Sequence, residues 1–273
     1  MNSSTTITTV GVIGAGRIGQ PIIGHMVRNG LSVTVYDVDP GKREAVERLG
    51  ARWADSAVAL AGSEAILVCV GYDRQLRDVI SEWFLRALPR ETIVAVLATV
   101  NPRTVQQLSE AAAALGVHLV DSTVCRGGRG ADEGKLLSFV GGGASTLERL
   151  RPVLACFCSD IVHSGPVGTA QAAKAANNLI MWACLVANHE ALALAKRYGM
   201  DVELLRESLM KTGAENGVLR HWGTSTMKWA DDDLELVQQM AKDAGIALPQ
   251  ADLDREICRE LKPKKFQLDR YGV

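Results

Sequence analysis

The chain has 273 residues, enough to bury one large core or two smaller ones. Its formal net charge is −1 and 22% of its residues are charged, which excludes the strongly basic composition of proteins that bind nucleic acid or anionic membranes. The six cysteines lack the paired spacing of zinc ligands, so we predict no metal site and reduced thiols in a cytoplasmic protein. No secretory signal precedes Thr9, and no uncharged apolar run is long enough to predict a membrane span.

Strand and helix signals alternate along the first part of the chain. Short apolar runs predict strands at Thr9–Ile13, Ser32–Tyr36, Ala65–Val70, Thr92–Leu97, His118–Asp121, Leu136–Val140 and Asp160–His163. Helical periodicity appears at Arg17–Arg28, Gly41–Leu49, Arg74–Leu85, Pro102–Leu115 and Ser145–Cys156. This alternation predicts βαβ units and therefore a mostly parallel sheet with helices on both faces.

A glycine-rich turn, Gly14-Ala15-Gly16-Arg17-Ile18-Gly19, connects the first predicted strand to the first helix. In such a G-x-G-x-x-G motif the glycines allow a sharp turn, a close approach of backbone N–H groups to a pyrophosphate, and tight helix packing. The second predicted strand ends at Asp37, where a carboxylate accepts hydrogen bonds from ribose hydroxyls and repels a 2′-phosphate. An ordinary glycine-rich turn is the alternative, but the strand, helix and acid together favour a Rossmann-type, doubly wound α/β domain that binds NAD.

The alternation of strand and helix signals ends after His163. Gly165 and the residues after it interrupt the alternation, and the following segment, Ala170–Tyr198, contains neither proline nor glycine and predicts one long helix. Further helical signals follow at Val202–Lys211, Asp232–Ala244 and Gln250–Leu261. We therefore predict a dinucleotide-binding domain at 1–164 and an all-helical C-terminal domain at 165–273 that begins with a long interdomain helix. A helical domain this small suggests a contribution from a partner subunit.

Polar side chains interrupt the apolar long helix on one face. Lys174 and Asn178 are four residues apart, and Gln171 precedes Lys174 by three. A lysine among apolar neighbours loses solvation, which lowers its pKa toward neutrality and suits it to exchange a proton with a substrate hydroxyl. Alternatively, its stem packs while the ammonium group reaches solvent.

A second glycine-rich segment, Asp121 to Ala131, follows a predicted strand. Backbone N–H groups of Arg126, Gly127 and Gly128 are candidates to bind a substrate carboxylate, and the Arg126 guanidinium offers further donors for an anion. A tight loop without a ligand is the alternative.

These segments together resemble the β-hydroxyacid dehydrogenases, the group that contains 3-hydroxyisobutyrate dehydrogenase and relatives of 6-phosphogluconate dehydrogenase. The similarity runs from Val10 to about Pro249 and includes the opening glycine motif, the segment from Asp121 to Ala131, and the segment from Gly168 to Asn178. Three motifs in the same order are more specific than any one of them.

The resemblance implies hydride transfer between NAD and a small hydroxy acid. Lys174 then exchanges the hydroxyl proton, and Asn178 assists it. The loop at Cys125, Arg126 and Gly127 holds the carboxylate. Val70 and Thr99, near the ends of predicted strands, are assigned to the cofactor site. By analogy with the family we expect a homodimer or homotetramer.

Three departures from the family pattern bear on the substrate. The family usually has Ser-Gly-Gly where this chain has Cys125-Arg126-Gly127. The arginine either fills the pocket or adds a cationic anchor for a second acidic group on the substrate, and we favour the anchor because a guanidinium is costly to bury unpaired. Asp232 occupies a position where the family often has a second lysine, and we place it at the substrate site as well. The segment between Gly217 and Asp231 is also shorter than usual.

Other functions remain open at this point. An imine reductase resembles the family in fold but usually lacks the catalytic lysine. A reductase of a small aldehyde acid usually prefers NADPH, which Asp37 disfavours. A dinucleotide-binding protein without turnover would fit the change at Asp232, although Lys174 and Asn178 speak for catalysis.

Overall fold

Short apolar strands build an eight-stranded sheet in the computed structural model, which describes residues 6–224 and 226–273. The strands are β1 (Thr9–Ile13), β2 (Ser32–Tyr36), β3 (Arg52–Trp53), β4 (Ala65–Val68), β5 (Ile93–Val96), β6 (His118–Cys125), β7 (Leu136–Gly141) and β8 (Cys158–Gly165). Their order is β3-β2-β1-β4-β5-β6-β7-β8. Only the β6–β7 pair is antiparallel among the described strands, so the sheet is mostly parallel, as predicted.

Helices connect and follow these strands. They are α1 (Gly19–Arg28), α2 (Arg43–Arg48), α3 (Asp73–Val79), α4 (Glu82–Ala87), α5 (Pro102–Ala114), α6 (Gly127–Asp132), α7 (Ala144–Leu154), α8 (Thr169–Arg197), α9 (Val202–Leu209), α10 (Gly217–Arg220), α11 (Ala230–Ala244) and α12 (Pro249–Leu261). A 3₁₀ turn at Pro40–Lys42 precedes α2. With an α/β region followed by a helical region, the predicted fold class is confirmed.

Both faces of the sheet are buried, which explains why its central strands are almost wholly apolar. Along β4, Ala65 and Leu67 belong to one hydrophobic core, whereas Ile66 and Val68 belong to another. Because successive side chains of a strand point to opposite faces, each strand contributes to two cores. Helices α1 and α7 cover the first core and α3, α4 and α5 cover the second.

Several elements differ from the sequence-based expectation. The single helix predicted over Arg74–Leu85 is two helices, because Ile80 leaves the helical conformation and Ser81 Oγ caps α4 by accepting from the Phe84 N–H at 3.2 Å. Strand β3, with two residues, and helix α10, with four, are too short to produce a periodic signal. The glycine-rich loop expected after β6 is partly helical and forms α6.

Two compact units divide the chain, one ending at Lys174 and the other beginning at Ala175, within α8. The predicted boundary near Gly165 stays a prediction. The second unit is helical, and its largest core forms around Trp182, Leu185 and Val186 of α8. By length and composition alone α8 could cross a membrane, but the central helix of a globular core meets the same criteria.

Candidate active site

The predicted dinucleotide loop lies at the point where the strand order reverses. The chain runs outward from β1 through β2 to β3 and then returns to β4 on the other side of β1. Open α/β sheets bind ligands at the carboxyl ends of the strands beside such a reversal. Here this crevice lies between the glycine loop after β1 and the Cys69–Val70 segment after β4.

Gly14 and Gly19 are required by close backbone contacts. Gly14 has φ +101°, and a Cβ atom on it would lie 2.5 Å from the Cys69 carbonyl oxygen. A Cβ atom on Gly19 would overlap the Gly14 carbonyl oxygen. These contacts hold the start of α1 against β1 and β4, which is the packing expected of a dinucleotide-binding turn.

Gly16 has a different environment, because no heavy atom lies within 4 Å of the position that its Cβ would occupy. The loop from Gly14 to Gly19, with Ala15, Arg17 and Ile18 between the glycines, therefore leaves open space at the N-terminus of α1. Backbone N–H groups and the helix dipole favour an anion there. The residues present thus fit a dinucleotide pyrophosphate.

Asp37 follows β2 and is almost wholly buried. Its Oδ2 atom accepts from the Ala15 N–H at 2.7 Å and from Lys42 Nζ at 2.9 Å, and Oδ1 accepts from the Asp39 N–H at 2.9 Å. Burial would raise the pKa of Asp37, but these donors outweigh it and hold the pKa below the ordinary value. Asp37 is therefore a carboxylate, as its predicted role requires.

Lys174 lies on α8 beside the carboxyl end of β6. Its Nζ donates to the Val124 carbonyl oxygen at 2.9 Å and lies 4.0 Å from Cys125 Sγ. Burial raises the pKa of the Cys125 thiol, while the positive charges of Lys174 and Arg126 oppose that shift. Since β6 is parallel to β5 and β5 to β4, Lys174 lies at the sheet edge that also carries Thr99, Val70 and the glycine loop.

The first turn of α8 is fixed by buried polar groups that our sequence reasoning did not assign to the site. Asp121 Oδ1 accepts from the Gly168 N–H at 2.9 Å, and its Oδ2 accepts from the Gln171 N–H at 3.0 Å. The Gln171 side chain accepts from the Val100 N–H and donates to the Ala98 carbonyl oxygen, both at 2.9 Å. These bonds determine the rotation of α8 about its axis and so the direction of Lys174.

Arg126 does not offer a free cationic anchor. Its guanidinium contacts Asp160 Oδ2 at 2.8 Å and donates to Ser159 Oγ at 2.7 Å and to the Lys135 carbonyl oxygen at 2.9 Å. Strand β8 supplies this carboxylate, which the sequence alone could not place, and the role of Arg126 as an anchor for a second acidic group stays a prediction. The predicted carboxylate role of the backbone N–H groups of Arg126 and Gly127 stays a prediction.

Gly128 of α6 and Gly134, two residues after that helix, lie against Arg17 of the dinucleotide loop and His25 of α1. A Cβ on Gly128 would lie 2.6 Å from the Arg17 guanidinium, which makes a bidentate pair with Asp132 at 2.5 and 2.7 Å. A Cβ on Gly134 would lie 2.7 Å from the ring of His25. Gly128 and Gly134 therefore leave room for these two side chains, whether or not the loop binds an anion.

Two predicted site residues belong to the second unit. Asn178 lies one turn after Lys174 on α8, is 3% exposed, and accepts from Asn177 Nδ2 at 3.0 Å. Asp232 is exposed in the first turn of α11, where Asp231 and Asp233 are its neighbours. Three carboxylates at a helix N-terminus interact favourably with the helix dipole, which is reason enough for an acid at position 232. The substrate roles of Asn178 and Asp232 stay predictions.

Comparison with known proteins identifies the family. Residues 9–165 match the NAD-binding domain of 6-phosphogluconate dehydrogenase, and residues 168–269 match the domain described as the NAD-binding domain of NADP-dependent 3-hydroxyisobutyrate dehydrogenase. The chain belongs to the β-hydroxyacid dehydrogenase family. The resemblance inferred from the three motifs is thereby confirmed.

Relatives cover almost the whole chain. A 3-hydroxyisobutyrate dehydrogenase of Pseudomonas aeruginosa is 29% identical over 255 residues, which are 90% of this chain and 86% of that protein. An NAD-dependent L-serine dehydrogenase of the same organism is 27% identical, covering 87% and 83%. The structure of a Mycobacterium tuberculosis 3-hydroxyisobutyrate dehydrogenase with L-serine superposes with a TM-score of 0.88 at 23% identity, covering 95% of each chain.

Membership of this family establishes the general chemistry. The protein is an oxidoreductase that uses NAD(P) and acts on a small hydroxy acid. Relatives of similar identity differ in their named substrates, so family membership defines the class of reaction but not the individual substrate.

Proposed function

We propose that the protein oxidises a small β-hydroxy acid with NAD⁺ and that Lys174 exchanges the hydroxyl proton. The position of Lys174 carries this proposal. Its Nζ donates to the Val124 carbonyl oxygen at 2.9 Å, next to the predicted substrate loop and on the sheet edge that carries the dinucleotide loop. An amine there can take the proton of a substrate hydroxyl, and in the reverse reaction the ammonium group returns it.

Other residues have supporting roles in this proposal. Backbone N–H groups of Arg126 and Gly127 bind the substrate carboxylate, and Asn178 binds its hydroxyl group. When bound, the nicotinamide supplies the acceptor or donor of the hydride. Asp37 favours NAD because its carboxylate accepts from ribose hydroxyls and repels a 2′-phosphate.

The ion pair of Arg126 favours a substrate with one carboxylate. Since Asp160 already pairs with this guanidinium at 2.8 Å, a second acidic group would have to share it with Asp160. We therefore propose that 3-hydroxyisobutyrate and L-serine, the substrates named for two of the relatives, are better substrates than hydroxy dicarboxylic or sulfonated acids. A strict requirement for a second acidic group would contradict this assignment and restore Arg126 as an anchor.

Replacement of the lysine tests the proposed reaction. We expect Lys174→Met to lower kcat by about 10² to 10⁴-fold, because the proton-transfer group is lost, while the Kd of NADH changes little. The matched control is Lys196→Met, which removes an exposed lysine from the same helix. The reaction is followed as NADH formation with each hydroxy acid, and NADH binding as a change in its fluorescence. A Lys174→Met enzyme with near-normal kcat would refute the proposed role of Lys174.

We also propose that the protein forms a homodimer or homotetramer. Ile180 and Leu194 of α8 are 64% and 61% exposed, and Tyr198, directly after the helix, is 86% exposed. Ala187 and Ala191 are also exposed, so the stripe has steps of seven, four, three and four residues. Stripes of this period suit packing against another helix, and a second copy presents the same stripe.

A further inference from the structure

Asp37 has few free hydrogen-bond acceptor positions for the hydroxyl groups of a ribose. A carboxylate has about four lone-pair positions, and three of those of Asp37 already accept hydrogen bonds, from the Ala15 N–H, the Asp39 N–H and Lys42 Nζ. One acceptor position on Oδ1 therefore remains. A ribose presents two hydroxyl groups, so the second must compete with one of the present donors.

Lys42 is the donor that can be displaced. The two backbone N–H groups are fixed by the chain, whereas Lys42 reaches Asp37 through a flexible side chain. The 3₁₀ turn at Pro40–Lys42 directs it there, because Asp39 Oδ1 accepts from the Gly41 N–H at 2.9 Å and proline restricts φ at the start of the turn. The Lys42 side chain is 31% exposed, against 5% for Asp37, so part of the lysine is accessible from solvent while the carboxylate is not.

Lys42 offsets part of the negative charge at this turn, which leaves a net charge of −1. Asp37 and Asp39 contribute two carboxylates and Lys42 one ammonium group, while Val38 between them is exposed and uncharged. A lone buried carboxylate would repel a phosphate dianion strongly. With Lys42 at 2.9 Å that repulsion is smaller, and the ammonium group is itself a good partner for a phosphate.

We propose that Lys42 is a specificity-determining residue that narrows the preference of this protein for NAD over NADP. The inference rests on the proposed use of NAD and on the predicted position of the ribose at Asp37. Lys42 competes with a ribose hydroxyl for Asp37 Oδ2 when NAD binds, and it offers its charge to a 2′-phosphate when NADP binds. Asp37 thus favours the binding of NAD, whereas Lys42 favours the binding of NADP.

Direct binding measurements test this role without any substrate. NADH and NADPH are titrated into the wild-type protein and into Lys42→Met, and each Kd is measured by calorimetry. We expect Lys42→Met to weaken NADPH at least fivefold and to leave NADH unchanged or tighter, so that the ratio of the two constants widens. The matched control is Lys242→Met, which removes an exposed lysine from α11 and should leave the ratio unchanged.

A second variant distinguishes an effect of the Asp37–Lys42 pair from a general change in the loop. Asp37→Asn removes the carboxylate and frees Lys42, so NADPH should bind more tightly and NADH more weakly than to the wild type. In the Asp37→Asn background, Lys42→Met should still weaken NADPH but no longer improve NADH. Equal loss of both dinucleotides in Lys42→Met, or a ratio within twofold of the wild type, would overturn the proposal.

These outcomes are independent of the test of the proposed reaction. The role of Lys174 is judged by turnover, whereas Lys42 is judged by dinucleotide affinity alone. An unchanged ratio in Lys42→Met with a large loss of kcat in Lys174→Met would refute only the specificity role. Failure of the wild-type protein to bind either dinucleotide would refute the cofactor site itself.

Discussion

The backbone N–H of Gln171 donates to Asp121 Oδ2 at 3.0 Å and so attaches the first turn of α8 to the middle of β6. Asp121 is fully buried, and burial raises its pKa while the N–H donors of α8 oppose that shift. The Gln171 side chain then bonds the backbone on both sides of Thr99. Lys174 lies three residues further along the same helix, so its direction depends on these bonds.

We expect Gln171→Leu to lower both stability and turnover. It leaves the Val100 N–H and the Ala98 carbonyl group buried without their partner, at a combined cost of about 2 to 4 kcal/mol of unfolding free energy. A small displacement of Lys174 should lower kcat on the order of tenfold or more, with little change in the Kd of NADH. Urea unfolding and steady-state kinetics measure the two effects.

Gln106→Leu provides the comparison, because Gln106 makes one exposed hydrogen bond, to the Val167 carbonyl oxygen at 3.2 Å. It should change kcat by less than twofold. If Gln171→Leu lost stability but kept the wild-type kcat, Gln171 would be structural and would not position Lys174.

Stability should decrease in mild acid because of His189. Its Nδ1 is 2.7 Å from the Leu185 carbonyl oxygen, and its Nε2 accepts from the Phe266 N–H at 3.2 Å, so the ring is neutral. Burial lowers the pKa of His189 below its ordinary value of 6.5, although the hydrogen bond to Leu185 opposes the shift. The unfolded chain therefore takes up the proton first, and stability is lost as the pH falls below about 6.5.

The measurement is urea unfolding at pH 7.5 and 5.5. We expect His189→Gln to be less stable than the wild type at pH 7.5 but to lose about 1 kcal/mol less between the two pH values. His221→Gln, which replaces an exposed histidine, should retain the full pH dependence. An identical pH dependence in wild type and His189→Gln would show that another group is responsible.

The exposed stripe of α8 predicts a mutation that dissociates the oligomer. Ile180→Glu combined with Leu194→Glu places charges in the proposed contact, and we expect light scattering to show the 29.3 kDa mass of one chain. Leu253→Glu adds a charge at another exposed leucine and should leave the mass unchanged. Wild-type protein that is already monomeric would contradict the proposal.

The sequence predicted the β1–α1–β2 segment well because several independent signals agree there. The glycine spacing, the apolar strands and Asp37 all require the same turn, and its backbone contacts are those expected. Helix α6 was not predicted because Gly127, Gly128 and Gly130 have low helix propensity, and contacts with α1 override that tendency.

The partners of the site residues were harder to predict than the residues themselves. Lys174 stands out as a lone cation on an apolar helix, but nothing in its local sequence indicates the Val124 carbonyl oxygen as its acceptor. Arg126 and Asp160 are separated by α6, β7 and α7, so their pair follows only from the registers of β6 with β7 and of β7 with β8. Lys42 lies in the segment predicted as a helix over Gly41–Leu49, and nothing in that pattern indicates its contact with Asp37, five residues earlier.

The contact between Arg17 and Gly128 connects the dinucleotide loop with the predicted substrate loop. A residue with a Cβ atom at 128 would meet the Arg17 guanidinium at 2.6 Å, so this exposed and flexible side chain would have to move aside. That movement would disturb the pair of Arg17 with Asp132. A change in the predicted substrate loop should therefore be felt in the dinucleotide loop of this enzyme.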